Sequence, residues 1–333
     1  MNSRATAQQN FLASTPWANA EAHPLMADAS GRRYTRLILG ADRAMLMDAP
    51  YEAGEDVRPF VAITQQLRGA GLSAPEIIAQ DIDQGFLLLE DLGDGLFSTL
   101  CRQTPAQETS LYGGAVDALL HLHSTDASGP LPYDMATYQR EASLLTQWYM
   151  PAAGVKVLSS LEDSFSEIIS NACTPILDQE PVLVLRDYHA DNLLWLPQRR
   201  SVARVGMLDY QDALMGHPAY DLVSLLEDAR RDTSPVLRQA MITRYLSASG
   251  LDEKTFTAAY NILGMQRNIK ILGIFTRLCI RDAKAHYVDL IPRVWGHLMR
   301  DLSHPSCAPM RQWFADHVPA PDTALLTQIK AQA

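Results

Sequence analysis

Two acidic loops, each entered from an apolar run, constrain this chain more than anything else in it. Pro181 to Leu185 leads into Arg186-Asp187-Tyr188-His189, Asn192 follows Asp187 by five residues, and Leu193 to Leu196 leads out. That pattern reads as strand, polar loop, strand. Fourteen residues after Trp195 another apolar run, Val205 to Leu208, ends in Asp209. Two carboxylates and an amide are thereby expected at neighbouring strand ends. Such a trio can position a hydroxyl and hold Mg²⁺ against the phosphates of a nucleotide.

A chain of 333 residues can bury a large core and fits about two domains. A formal charge of -10 gives no general footing on nucleic acid or on an anionic membrane, so the expected partner is a small molecule. Cys101, Cys173, Cys279 and Cys307 are scattered, with no C-x-x-C pair, which argues against a zinc ribbon or a disulfide framework and for a reducing compartment. Met1 to Trp17 holds no apolar stretch of signal-peptide length, and no later segment is apolar for long enough to span a bilayer. The expectation is a cytoplasmic, unprocessed protein; oligomeric state is not legible.

Residues 1–25 form an N-terminal segment with one expected helix around Ala7 to Ala13 and no assigned function. From Asp28 onward a small-residue turn precedes a hairpin, Tyr34 to Leu39 and Ala44 to Asp48. Backbone amides at Ser30 and Gly31 could approach an anion, and Arg32, Arg33 and Arg36 could meet phosphate charge. The alternative is an ordinary hairpin with solvated arginines. Glu55 to Leu67 reads as a helix, and because Gly69-x-Gly71 follows that helix and not a strand, it is no dinucleotide fingerprint. Two further strands lead to a connector at Glu90 to Gly93, which places a boundary between a β-rich lobe, 26–92, and a helical lobe, 93–333. Helices are expected over Leu111 to His123, Thr137 to Tyr149, Ser160 to Cys173, Asp221 to Arg231, Pro235 to Ser247, Asp252 to Ile280 and Leu290 to Leu302.

This order of parts, with Arg186-Asp187-Tyr-His189-Ala-Asp-Asn192 and Leu208-Asp209-Tyr-Gln-Asp212 through Gly216-His217-Pro218-Ala-Tyr-Asp221, resembles the aminoglycoside phosphotransferase and choline kinase family. The resemblance implies an α+β, protein-kinase-like fold of two lobes, with ATP and Mg²⁺ as cofactors. It implies that Asp187 is the catalytic aspartate that accepts or orients the proton of the acceptor hydroxyl, and that Asn192 and Asp209 are metal ligands. Arg186, His189 and Asp221 are read as braces of the loop, and Asp212 as a further metal or substrate contact or a solvated carboxylate. Adenine is expected against the connector, on backbone groups from Glu90 to Leu92. Three positions depart from the pattern: Leu185 stands where the family has His, Arg186 where it usually has Gly, and Met45 to Pro50 holds no lysine for the phosphates. Either one of Arg32, Arg33 and Arg36 substitutes for that lysine, or nucleotide binding is weak.

The wording of both loops, with Gln266-Arg267-Asn268-Ile-Lys270 and Pro292-Arg-Val-Trp295, is further similar to bacterial amino-sugar kinases. Those phosphorylate the anomeric hydroxyl of N-acetylmuramate and N-acetylglucosamine in peptidoglycan recycling. A lactyl carboxylate on the acceptor would want a cation, and Arg267, Lys270 and Arg277 lie at helical spacing, with Asn268 beside them. The plain alternative is surface cations on a long helix. Two rival functions stay open at this point: a phosphotransferase of the same fold acting on an antibiotic or another metabolite, and a catalytically silent nucleotide binder.

Overall fold

The structure, a computed structural model, describes residues 3–25, 31–127 and 129–333. They form two compact units, Met1–Thr125 with Asp191–Ala213, and Asp126–Ala190 with Leu214–Ala333. The first unit therefore continues beyond the connector and takes back the segment that carries Asn192 and Asp209.

In the first unit a five-stranded antiparallel sheet is built from β1 (Glu21–Pro24), β2 (Arg33–Leu39), β3 (Asp42–Asp48), β4 (Ile77–Asp81) and β5 (Phe86–Glu90), in the order β1-β2-β3-β5-β4. Leu39 pairs with Asp42, which leaves a two-residue hairpin loop whose Gly40 takes a left-handed φ of 65°. The central strands β3 and β5 carry most of the buried positions. Helix Val57–Gly69 is capped by the Asp56 side chain, which accepts from Arg58 N–H, and buries Val57, Phe60, Ile63 and Leu67. Residues 3–25 are part of this unit. Helix Ser3–Ala13 lays Phe11 on Leu37, Leu46, Phe86 and Leu88, and Glu21–Pro24 extends the sheet. Arg4 stacks 3.9 Å above the Phe86 ring and bonds Asp48 through Nε at 2.9 Å. Asp48, at the end of the strand that lacks a lysine, is thus neutralised by Arg4.

The same unit holds the strand pair Leu193–Trp195 and Val205–Met207. Leu208 N–H donates to Asn192 O at 2.9 Å, one step beyond the Leu193 and Met207 pair. That single bond sets Asn192 and the backbone leading into Asp209 side by side.

The second unit is mostly helical. Its axis is helix Glu253–Asp282, capped by Asp252 and buried almost all round between Ile262 and Gly273. Helices Met135–Ala142, Ser159–Cys173, Ala219–Leu226, Pro235–Ser249, Ile291–Leu302, Ala308–His317 and Thr323–Lys330 complete it, with a short ladder between Val182–Val184 and Leu214–Gly216. Two helices are shorter than their sequence patterns suggest. The expected Thr137 to Tyr149 helix becomes Met135–Ala142 followed by a π-helical turn, Leu145–Tyr149, in which Met150 N–H reaches back to Leu145 O. Pro151, which has no N–H to return to that turn, follows at once. The expected Asp221 to Arg231 helix ends at Leu226, because the Glu227 backbone leaves the helical region (φ -123°, ψ 46°). All four cysteines are buried and none is in a disulfide. No helix among the described residues is long and apolar enough to cross a membrane.

Candidate active site

Within the first unit, Arg32, at the entrance to β2, is held by three partners. Its Nη2 lies 3.0 Å from Asp209 Oδ1, its Nη1 2.5 Å from Gln211 Oε1, and its Nε 3.3 Å from Glu55 Oε2. Burial works against the guanidinium charge, but Tyr34, Asp209 and Glu55 outweigh it and raise the pKa. Gly31 N–H donates to the other Glu55 oxygen at 2.8 Å, and Ser30 lies outside the described residues. The remaining arginines go elsewhere. Arg36 is bonded to Asp91 at 2.6 Å and Asp94 at 2.8 Å, while Arg33 is exposed on β2. In the connector, Glu90 N–H donates to Glu76 O just beyond the β4 and β5 pairing, and the Glu90 carboxylate pairs with Arg199. Leu92 packs against Gly206, where an added Cβ would meet Leu92 Cδ1 at 3.1 Å.

Asp209 adopts a φ of 58°, a conformation that costs a non-glycine residue about 1–2 kcal/mol. Its side chain is 42% exposed and accepts from Arg32 and from Gln211 Nε2. Asp212 is exposed and is reached by the same Gln211 amide at 3.3 Å. Among the described residues no three His, Cys, Asp or Glu side chains converge as a metal cage. Mg²⁺ does not ask for one, since it binds through one or two protein ligands and completes its shell with phosphate and water. Asn192 and Asp209, adjacent through the Leu208 bond, supply an amide oxygen and a half-exposed carboxylate of which one oxygen, Oδ1, is the one bonded to Arg32, and that donor pair fits the demand.

Within the second unit the loop carrying Asp187 is held by its backbone. Asp221, fully buried near the start of helix Ala219–Leu226, accepts Leu185 N–H at 2.6 Å and Arg186 N–H at 2.8 Å with its two oxygens. Burial pushes its pKa up to about 7, against the pull of those two donors. Arg186 takes a φ of 71°, the left-handed conformation that suits the glycine of the family pattern. Asp187 has a side chain 42% exposed, with Arg267 Nη2 4.0 Å from its Oδ1. Desolvation opposes the Asp187 charge, but Arg267, Lys270, His189 and Arg186 together hold the carboxyl below its ordinary range. His189 is buried, and desolvation lowers its pKa, so the ring is neutral at pH 7; Nε2 faces Arg230 at 3.5 Å.

The three residues of the long helix separate in role. Arg267 is buried beside Asp187 and donates to Ser224 Oγ at 2.6 Å. Lys270 pairs with Glu141 at 3.1 Å and donates to Tyr220 OH at 3.0 Å. Asn268 faces away from that group and ties Glu227 to Asp301, donating to each at 2.8 and 2.9 Å. Arg277 lies among Arg281 and Asp282. Glu141 escaped the sequence reading altogether. It sits in the last turn of an amphipathic helix, and only the fold shows that it meets a loop 45 residues away.

Residues 21–257 match the phosphotransferase enzyme family, and the chain belongs to that family, whose members transfer phosphate to an alcohol acceptor. It is 35% identical to an N-acetylmuramate/N-acetylglucosamine kinase of Caulobacter vibrioides, over 95% of this chain and 97% of that protein. It is 37% identical to a protein of the same name from Pseudomonas aeruginosa, over 84% and 83%. Among solved structures, a choline/ethanolamine kinase family protein from Mesorhizobium loti superposes with a TM-score of 0.64 at 12% identity, covering 98% of this chain and 99% of that one. An ADP-bound aminoglycoside phosphotransferase superposes with a TM-score of 0.60 at 14% identity, covering 90% and 97%. The fold is protein-kinase-like and of the α+β class.

Proposed function

We propose that this chain transfers the γ-phosphate of ATP to the anomeric hydroxyl of N-acetylmuramate and N-acetylglucosamine. The reaction is supported above all by Asp187, a half-exposed carboxylate kept ionised by the buried Arg267. The choice of acceptor rests on the name shared by the near full-length relatives. Asp187 orients the acceptor hydroxyl and takes its proton. A carboxylate held below its usual range is a weak base, which suits a hemiacetal hydroxyl, more acidic than an alkyl alcohol, and a transfer in which proton removal comes late. Asn192 and Asp209 are assigned to Mg²⁺, which when bound neutralises charge on the phosphates. Arg32, already on Asp209, is the cation that takes the place of the missing lysine, with Gly31 beside it at the phosphates. Leu92 and the connector backbone are assigned to the adenine.

Among the substrate candidates, Arg267 is assigned to the acceptor. Lys270 and Asn268 are engaged in buried networks. A buried arginine beside the hydroxyl-orienting carboxylate suits an acceptor bearing a carboxylate better than a polycationic aminoglycoside.

The test is ³¹P NMR of the protein with Mg²⁺-ATP and a mixture of N-acetylmuramate, N-acetylglucosamine, kanamycin and choline. A sugar 1-phosphate, coupled to an anomeric proton, is the expected product. Phosphorylated kanamycin or choline in its place would discard the acceptor, and no transfer at all would discard the reaction. Asp187→Asn is expected to lower turnover by about a thousandfold while the folded protein melts within a few degrees of the parent.

A further inference from the structure

Asp187 follows a residue in a backbone conformation that its side chain disfavours. Arg186 has a φ of 71°, and where a glycine would adopt it freely, an arginine must be held there. Two anchors hold it. The first, Asp221, fixes the Leu185 and Arg186 amides. The second is at the far end of the side chain, where the guanidinium meets the carboxylate of Glu141 on helix Met135–Ala142.

Glu141 is well placed to be an anchor. Its side chain is 10% exposed, and it also accepts from Tyr133 OH and pairs with Lys270 at 3.1 Å. Tyr133 and Lys270 each meet Tyr220 OH, at 3.1 and 3.0 Å, which closes a buried ring of hydrogen bonds drawn from four segments of the second unit. Desolvation opposes the Glu141 charge, and Lys270 and Arg186 outweigh it. Without this carboxylate, the buried Lys270 and the largely buried Arg186 would have no anion between them, and the Arg186 side chain would be driven off its anchor.

We propose that Glu141 is a positioning residue for phosphoryl transfer: acting through the Arg186 side chain, it holds the left-handed backbone turn that presents Asp187. This rests on the reading of Asp187 as the residue that orients the acceptor hydroxyl. Lys270 holds Glu141 in turn, so a cation that the sequence suggested for the acceptor belongs to the support of the loop.

The experiment is a double-mutant cycle on the full chain, with kcat and both KM values measured per folded molecule well below the melting temperature. Glu141→Gln keeps the shape and loses the charge, and kcat is expected to fall by about tenfold or more, with KM for Mg²⁺-ATP and for N-acetylglucosamine changing by less than about twofold. In an Arg186→Gly background, where glycine takes the turn unaided, the same change is expected to cost less than about twofold. If Glu141→Gln fails to accumulate as folded protein, Glu141→Asp, which keeps the charge and shortens the reach, enters the same cycle. An unchanged kcat, or an equal loss with and without Arg186, overturns the proposal. An Asp187→Asn control that still turns over would instead overturn the assignment of Asp187.

Discussion

Histidine, aspartate and glutamate side chains in this molecule are governed by what they can bond when water is withdrawn. His217 makes the point in its simplest form. It is buried, its Nδ1 accepts Ala219 N–H at 3.1 Å, and desolvation alone drives its pKa down to about 4. The unfolded chain, with an ordinary histidine near 6.5, binds the proton first as pH falls. The contribution of His217 to stability is therefore complete above pH 6.5 and is lost as the pH drops toward 4, by roughly 2 kcal/mol at pH 5. Because Asp221, raised to about 7, gains stability over the same range, the His217 contribution is read as the wild-type minus His217→Asn difference in urea unfolding, which should be about 2 kcal/mol smaller at pH 5 than at pH 7.5. The same scale shows what single residues in a sequence disclose. Asp187, Asn192 and Asp209 stand out because apolar runs deliver them at fixed spacing. The sequence offers Arg32, Arg33 and Arg36 alike, and only the fold separates them, by engaging Arg36 with Asp91 and Asp94 and leaving Arg33 exposed on its strand. Glu141 had no signal, since its partners lie in segments that no local pattern links to it.

Elements were legible where periodicity and caps agreed. Asp252 and Ser234 cap the helices that the text places after them, and Asp56 caps the helix of the first unit. Boundaries were lost where tertiary bonding took over, as at Glu227, whose carboxylate is drawn into the Asn268 network. The edge strand Glu21–Pro24 was missed for a related reason, since all four of its residues are exposed and only pairing with β2 makes it a strand. The clearest test at this scale is Gly273, where helix Glu253–Asp282 passes the chain just before the π-helical turn. A Cβ there would lie 2.3 Å from Leu144 C and 2.4 Å from Leu144 O, and backbone cannot swing aside as a side chain can. Gly273→Ala is expected to destabilise the protein by about 3 kcal/mol in urea titration, although alanine is the better helix former.

At the scale of the whole molecule, the four cysteines are 0–2% exposed and none is in a disulfide. Burial pushes the Cys173 and Cys307 thiols up to about 12, which removes the reactive thiolate as well as the access. Ellman's reagent should therefore find no thiol in the native protein and all four in 8 M urea, and a native reaction would show that one of these cores opens on its own. The silence of the native thiols makes the wild-type background a blank one for spectroscopy. Single cysteines at Leu39, in the hairpin of the first unit, and at Val236, 80% exposed in the second, can each take a spin or fluorescent label with nothing native removed. Placed together, the pair becomes a ruler between the two units, read with and without nucleotide, while every native thiol stays in place.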